Sequence, residues 1–202
     1  NSAKRKAEAL PLFRQAWDVA RAAQLHGLAV DAAHMVAIAA EAPAEQERWN
    51  REAIAYAKAS GDEAALKWLG SLLNNLAWTK HDAGEPEAAL ALFEECLAWH
   101  HARKTGAGEF IARYSVARCQ RTLGRFEQAL GAQQALQADQ ALAGEAEDGY
   151  VSEELAENLL ALGRAAEARP HFRRAHALLQ ADVWLGRNEP QRLARLAELG
   201  QE

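Results

Sequence analysis

Strand-forming residues are scarce in this chain. Aromatics make up 7% of its 202 residues, and β-branched side chains are few beside the Ala, Leu, Glu, Arg and Gln that dominate. Those residues lose little side-chain freedom in a helix, so the composition predicts an all-α protein and excludes a sheet-based core. Cysteine is nearly absent: Cys96 and Cys119 are too few for a disulfide framework and suit a reducing cytosol, the expected address. Strictly apolar runs such as Met35 to Ala40 fall far short of the roughly 20 residues needed to cross a bilayer. Neither an initiating Met nor a signal-peptide pattern opens the chain. Positive charge is not in excess either. With a net charge of −5, the chain has no general attraction for phosphate backbones or anionic lipid, so neither nucleic acid nor membrane is an expected direct partner.

What is present is self-similarity. The segments HDAGEPEAALALFEECL, RTLGRFEQALGAQQALQ and LALGRAAEARPHFRRAH align on Gly84, Gly124 and Gly163, spaced 40 and 39 residues apart. Five residues after each glycine stands Ala89, Ala129 or Ala168, and the same step backwards reaches Trp49 and Ala9. Four residues further the column reads Phe13, Ala53, Phe93, Gln133 and Phe172, and three beyond that Ala16, Tyr56, Cys96, Leu136 and Ala175. Offsets of four and seven place each triplet on one helix face, and most members are apolar, as core positions should be. The unit is a helix, a tight turn at glycine, a second helix and a polar connection.

The pattern Leu76-Ala77, Gly84, Ala89, Phe93 and Cys96 resembles the tetratricopeptide repeat (TPR), and the resemblance covers nearly the whole chain. Two departures qualify it: the unit is 40 residues rather than about 34, and a second repeat carries Pro43-Ala44 where glycine is usual and Trp49 in the small-residue column. The longer unit, with NNLA at Asn74 to Ala77, is closer to the repeats of kinesin light chain and related bacterial proteins. The resemblance implies a right-handed superhelical solenoid of antiparallel helix pairs, forming a single domain over 1–202. Its segments are an orphan second helix at 1–27, an atypical repeat at 28–61, repeats at 62–106, 107–148 and 149–181, and a capping segment at 182–202. Within that cap a helix is expected to start at a cap on Asn188, with Pro190 in its first turn and Leu193, Leu196 and Leu199 on one face. The stretch Ala64 to Ala83 is expected to form one continuous helix.

In the resembled family the first helices of the pairs line a concave groove. Leu69, Leu72, Leu73, Leu76 and Ala77 form the buried stripe of their helix, and Asn74, Asn75, Trp78 and His81 lie off it. An asparagine side chain carries a donor and an acceptor, so Asn75 and Asn74 can bridge the backbone of an extended peptide, as the family's asparagine at the position of Asn75 does. Asn75 bonding a neighbouring helix is the bland alternative. Trp78 is a wall for a ligand side chain or packs beneath the next repeat. One period away the same face carries His34, Met35 and Ile38; two further repeats present Tyr114, Arg118 and Arg121, and then Glu153, Glu154 and Glu157. The arginines either read an acidic group on the ligand or pair internally, Arg118 with Glu157.

The expected function is a non-catalytic scaffold that holds a protein or peptide segment, with no cofactor and no metal. A second copy meeting the incomplete first repeat, giving a homodimer, is a further candidate partner. Two alternatives stay open: a sensing module of a larger bacterial protein, and a metal-dependent enzyme built on Cys96, His100 and His101, where Cys96 and His100 have helical i, i+4 spacing but no further ligands at recognisable spacing. No phosphate loop, nucleophile elbow or zinc-protease helix is present.

Overall fold

The computed structural model describes residues 5–201; residues 1–4 of the expected first segment, and residue 202, lie outside them. Every regular element among the described residues is an α-helix. The chain divides into two compact units, Asn1–Ala112 and Arg113–Glu202. The first holds α1 (Lys6–Ala22), α2 (His26–Ala39), α3 (Pro43–Ser60), the single turn α4 (Glu63–Leu66), α5 (Leu69–Asp82), α6 (Pro86–Arg103) and the opening of α7 (Gly106–Thr122). The second holds the rest of α7, then α8 (Phe126–Ala143), α9 (Gly149–Ala161), α10 (Ala165–Leu179), the short α11 (Val183–Asn188) and α12 (Pro190–Gln201).

The glycine column closes its helices as the repeat requires. Gly84, Gly124 and Gly163 have φ of 78°, 74° and 75°, and each sits in a Schellman turn. For Gly84 the bonds run from its N–H to the His81 carbonyl and from the Glu85 N–H to the Lys80 carbonyl, both at 3.0 Å. A side chain in that left-handed conformation is strained, which is why glycine stands there. Behind each turn the alanine column is sealed, with Ala89, Ala129 and Ala168 no more than 1% exposed.

The core of the first unit packs Trp17, Val30, Ala33, Trp49, Ala53 and Leu72 together, with Leu73, Cys96 and Ala112 in a second cluster. Ala16, expected in the core column, is exposed; Trp17 and Ala20 take the buried face of α1. The large Trp17 ring packs edge-on to Trp49 and Tyr56, and so turns the helix by one residue. Exposed Leu12 and Val19 lie on the same helix. In the second unit Leu136, Leu155, Phe172, Leu185 and Leu196 are fully buried. Gln133, in the phenylalanine column, is buried there too, with neither amide atom bonded among the described residues.

Two expected boundaries differ. The helix over Ala64 to Ala83 is broken at Lys67-Trp68 into α4 and α5. Asp62 caps α4 by accepting the Ala65 N–H at 3.1 Å, and Leu66 and Trp68 both pack on the first core cluster. Asn188 is not the cap of α12, whose first N–H groups bond the Glu189 carbonyl; the helix ahead of it, α11, is capped by Asp182, whose Oδ1 accepts the N–H groups of Trp184 and Leu185 at 2.8 and 3.0 Å. Asn188 instead ends α11, donating to the Trp184 carbonyl. Leu196 of α12 is fully buried.

Candidate functional site

Two neighbouring cavities open in the first unit, one on each side of Asn75. The larger, about 500 Å³, is bounded by Ala37 and Ile38 of α2, Pro43, Gln46 and Asn50 of α3, and Asn75, Trp78, Thr79 and Asp82 of α5. The other, about 310 Å³, is bounded by His34 and Ile38 of α2, Ser71, Asn74 and Asn75 of α5, Cys96 and His100 of α6, and Ile111 of α7. Ile38 and Asn75 belong to both linings and form the partition.

Helix periodicity explains the placement. Leu72, Leu73, Leu76 and Ala77 turn inward, so Asn74, Asn75 and Trp78 fall on the half-buried flank of α5. The Asn75 amide Nδ2 lies 3.4 Å from His34 Nδ1, a long contact that holds the side chain against α2. Thr79 donates its hydroxyl back to the Asn75 carbonyl at 2.9 Å. His34 packs on Trp68, and burial lowers its pKa, with Asp31 opposing. Trp78 serves both readings at once: one side meets Phe93, with ring centroids 5.0 Å apart, and the ring also lines the larger cavity. His81 lines neither cavity; it packs edge-on to Trp78.

In the smaller cavity, Cys96 donates its thiol to the Gly70 carbonyl at 3.3 Å. Burial pushes that thiol up to about 11. His100 Nδ1 is 2.6 Å from the Thr105 hydroxyl, and the ring occupies space that side chains on Gly70 or Gly108 would fill. His101 is exposed and faces Glu109. Among the described residues no group of three or more His, Cys, Asp or Glu side chains could hold a metal ion.

The remaining expected residues lie in the second unit and make an ion-pair ladder centred on α9. Arg121 grips buried Glu154 through Nε at 2.7 Å and Nη2 at 3.1 Å, and Arg118 adds Nη1 at 3.1 Å. Arg118 therefore pairs with Glu154, not Glu157, because both guanidiniums converge on Glu154, the most deeply buried carboxylate of α9. Glu157 goes to Arg195 and Glu153 to Arg192, both of α12. Burial raises the Glu154 carboxyl to about 7 against the pull of Arg121. Tyr114 is half-buried beside this stripe, and burial followed by the nearby Glu154 raises its phenol.

Sequence reasoning passed over Asn50 and Gln46. The signal was present: Asn50 stands on the stripe of α3 that buries Trp49, Ala53 and Ala57, and a polar residue on an apolar stripe asks for a partner.

Residues 69–100 match the family model of the tetratricopeptide repeat. Among solved structures, MamA of AMB-1 is similar at a TM-score of 0.56 and 21% identity, over 89% of this chain and 92% of that one. A kinesin light chain-like protein of Podosopora anserina, with nearly identical TPR-like repeats, gives 0.55 and 17% over 96% and 88%. Bacillus thuringiensis PlcR, solved with the peptide PapR7 and DNA, gives 0.66 and 14% over 98% and 70%. No curated protein matches the chain. The likeness fixes the fold as an all-α helical-repeat solenoid.

Proposed function

We propose that this chain, folded as tetratricopeptide-like repeats, is a non-catalytic module that binds an extended peptide or protein segment along α5 of its first unit. The observation that carries the reading is the pair of cavities meeting at Asn75. Successive side chains of an extended segment point to opposite faces and alternate ones to the same face, about 6.5 to 7 Å apart. A backbone crossing the Asn75 partition can thus send two alternate side chains into the two cavities while the amide bonds its N–H or C=O. Asn74 and His34 border the smaller cavity, and Trp78 is an apolar wall of the larger. PlcR, solved with a peptide, shares the fold, which supports this class of ligand.

Arg118 and Arg121 are proposed as structural rather than ligand-reading, because Glu154 already engages both. No described helix is long and apolar enough to cross a membrane.

Selection of a random heptapeptide display library on the purified chain tests the reading. The Asn75→Ala variant should bind the selected peptides about tenfold more weakly at unchanged helicity. Undiminished affinity in that variant would show that the peptide does not lie along Asn75.

A second reading, a sensing module within a larger regulatory protein, is favoured by one observation. PlcR was solved with both a peptide and DNA, and 70% of its chain is covered by the match. The complete reading frame tests it: an adjoining DNA-binding or catalytic segment supports it, and its absence removes it.

A further inference from the structure

We infer that the larger cavity is a subsite for an arginine side chain of the bound segment. This rests on the peptide reading above and goes beyond it by naming the chemistry selected.

The first observation is an orphan acceptor. Asn50 is 2% exposed, borders the cavity, and its Oδ1 has no hydrogen-bond partner among the described residues. A buried carbonyl without a donor is a loss already built into the fold, and a ligand that brings it an N–H recovers that loss. The second observation is that the polar groups around it offer acceptors. Gln46 spends its Nε2 on the Ala40 carbonyl at 2.9 Å, which leaves Oε1. The Thr79 hydroxyl proton is spent on the Asn75 carbonyl, which leaves oxygen lone pairs. Asp82 adds an exposed carboxylate, one oxygen of which lies 3.3 Å from His81 Nδ1 and leaves the other to a ligand.

Among the described residues, no lysine, arginine or histidine lines this cavity. Lys80, on the same helix, is committed to Glu47 and Glu85 at 2.9 and 3.1 Å. An anionic side chain would find acceptors and no counter-charge. A purely apolar one would leave the Asn50 oxygen stranded.

Arginine matches each part of the lining. Its guanidinium carries five donors in a planar fork and is weakly hydrated for a cation, so it tolerates a half-enclosed site better than an ammonium. Its aliphatic stem is suited to the Ile38 and Pro43 walls, and its plane can stack on the Trp78 ring. A cavity of about 500 Å³ has room for one such side chain.

The test uses heptapeptides selected by the wild-type chain and two variants, Asn50→Leu and Asp82→Asn. Leucine fills the Asn50 volume without an unsatisfied oxygen, and Asp82→Asn is a solvent-facing change that keeps the fold accessible to measurement. The selected peptides are expected to share one arginine position. Replacing that arginine by citrulline should weaken binding about tenfold, and by glutamate further. In Asp82→Asn the ratio of arginine to citrulline affinity should collapse towards one, and in Asn50→Leu the arginine and citrulline peptides should both bind more weakly. Peptides retained without a common basic position, or citrulline binding as tightly as arginine, would overturn the arginine subsite and leave the groove reading intact. A library from which nothing is retained would overturn both.

Discussion

The side chains of Asn75 on α5, in the partition between the two cavities, and His34 on α2, in the wall of the smaller one, meet amide nitrogen to imidazole Nδ1 at 3.4 Å. For the amide to donate, His34 must be neutral with its proton on Nε2; a protonated ring would turn a second donor towards the first. The ligand wall therefore depends on the charge state of a half-buried histidine.

Acidification should loosen this wall. Burial lowers the His34 pKa in the fold below its ordinary value of 6.5, with Asp31 pulling the other way. The unfolded chain thus takes up the proton first, so the contribution of this group is fully present above about pH 6.5 and is lost as pH falls through the folded value. Denaturant midpoints at pH 8 and pH 5.5 check it. The wild type should lose more stability between them than His34→Leu, which lacks the titrating group.

Glu154 titrates with the opposite sign. Its folded pKa, raised by burial to about 7, lies above the unfolded value near 4.5, so the folded chain holds the extra proton between the two. The contribution of this group is largest below about pH 4.5 and declines as pH rises towards 7. Glu154→Gln should flatten that part of the stability profile. Glu154→Ala should cost about 1–3 kcal/mol at neutral pH, because the partly exposed Arg118 and Arg121 lose their shared hydrogen-bond acceptor; thermal unfolding monitored by circular dichroism reads both.

Two glycines should respond oppositely to alanine. A Cβ on Gly200 would fall 2.9 Å from the backbone nitrogen and 3.0 Å from Cα of Arg173, atoms that move only if α10 does. Gly200→Ala should therefore destabilise by about 1–3 kcal/mol. Gly131, on the exposed face of α8, has nothing within 4 Å of such a Cβ, and Gly131→Ala should stabilise by about 0.5–1 kcal/mol by favouring the helix. Urea midpoints of the two variants decide it.

The fold was legible because its signals are local and repeat. A glycine in a left-handed turn, an alanine five residues on and an apolar triplet at offsets of four and seven are set by helix geometry, and they recur at Gly84, Gly124 and Gly163. Ala16 failed for a reason that spacing does not contain: the bulk of Trp17, packed on Trp49 and Tyr56, reset which face of α1 is buried.

The position of Asn74, Asn75 and Trp78 off the apolar stripe of α5 was determined by periodicity alone. Which charges meet was not. Arg118 and Arg121 share Glu154 rather than Glu157 because the choice depends on how far one helix slides along the next, a quantity fixed by side-chain packing between elements and unmarked in either helix. The acceptor-lined cavity is of the same kind. The stripe of α3 marks Asn50 as a polar residue turned inward, but that its oxygen stays unsatisfied beside Asp82 and Trp78 is decided only when α3 and α5 are brought together. Sequence determined the elements and their inward faces; tertiary packing decided which polar groups were left unsatisfied, and with that the chemistry the site asks of a ligand.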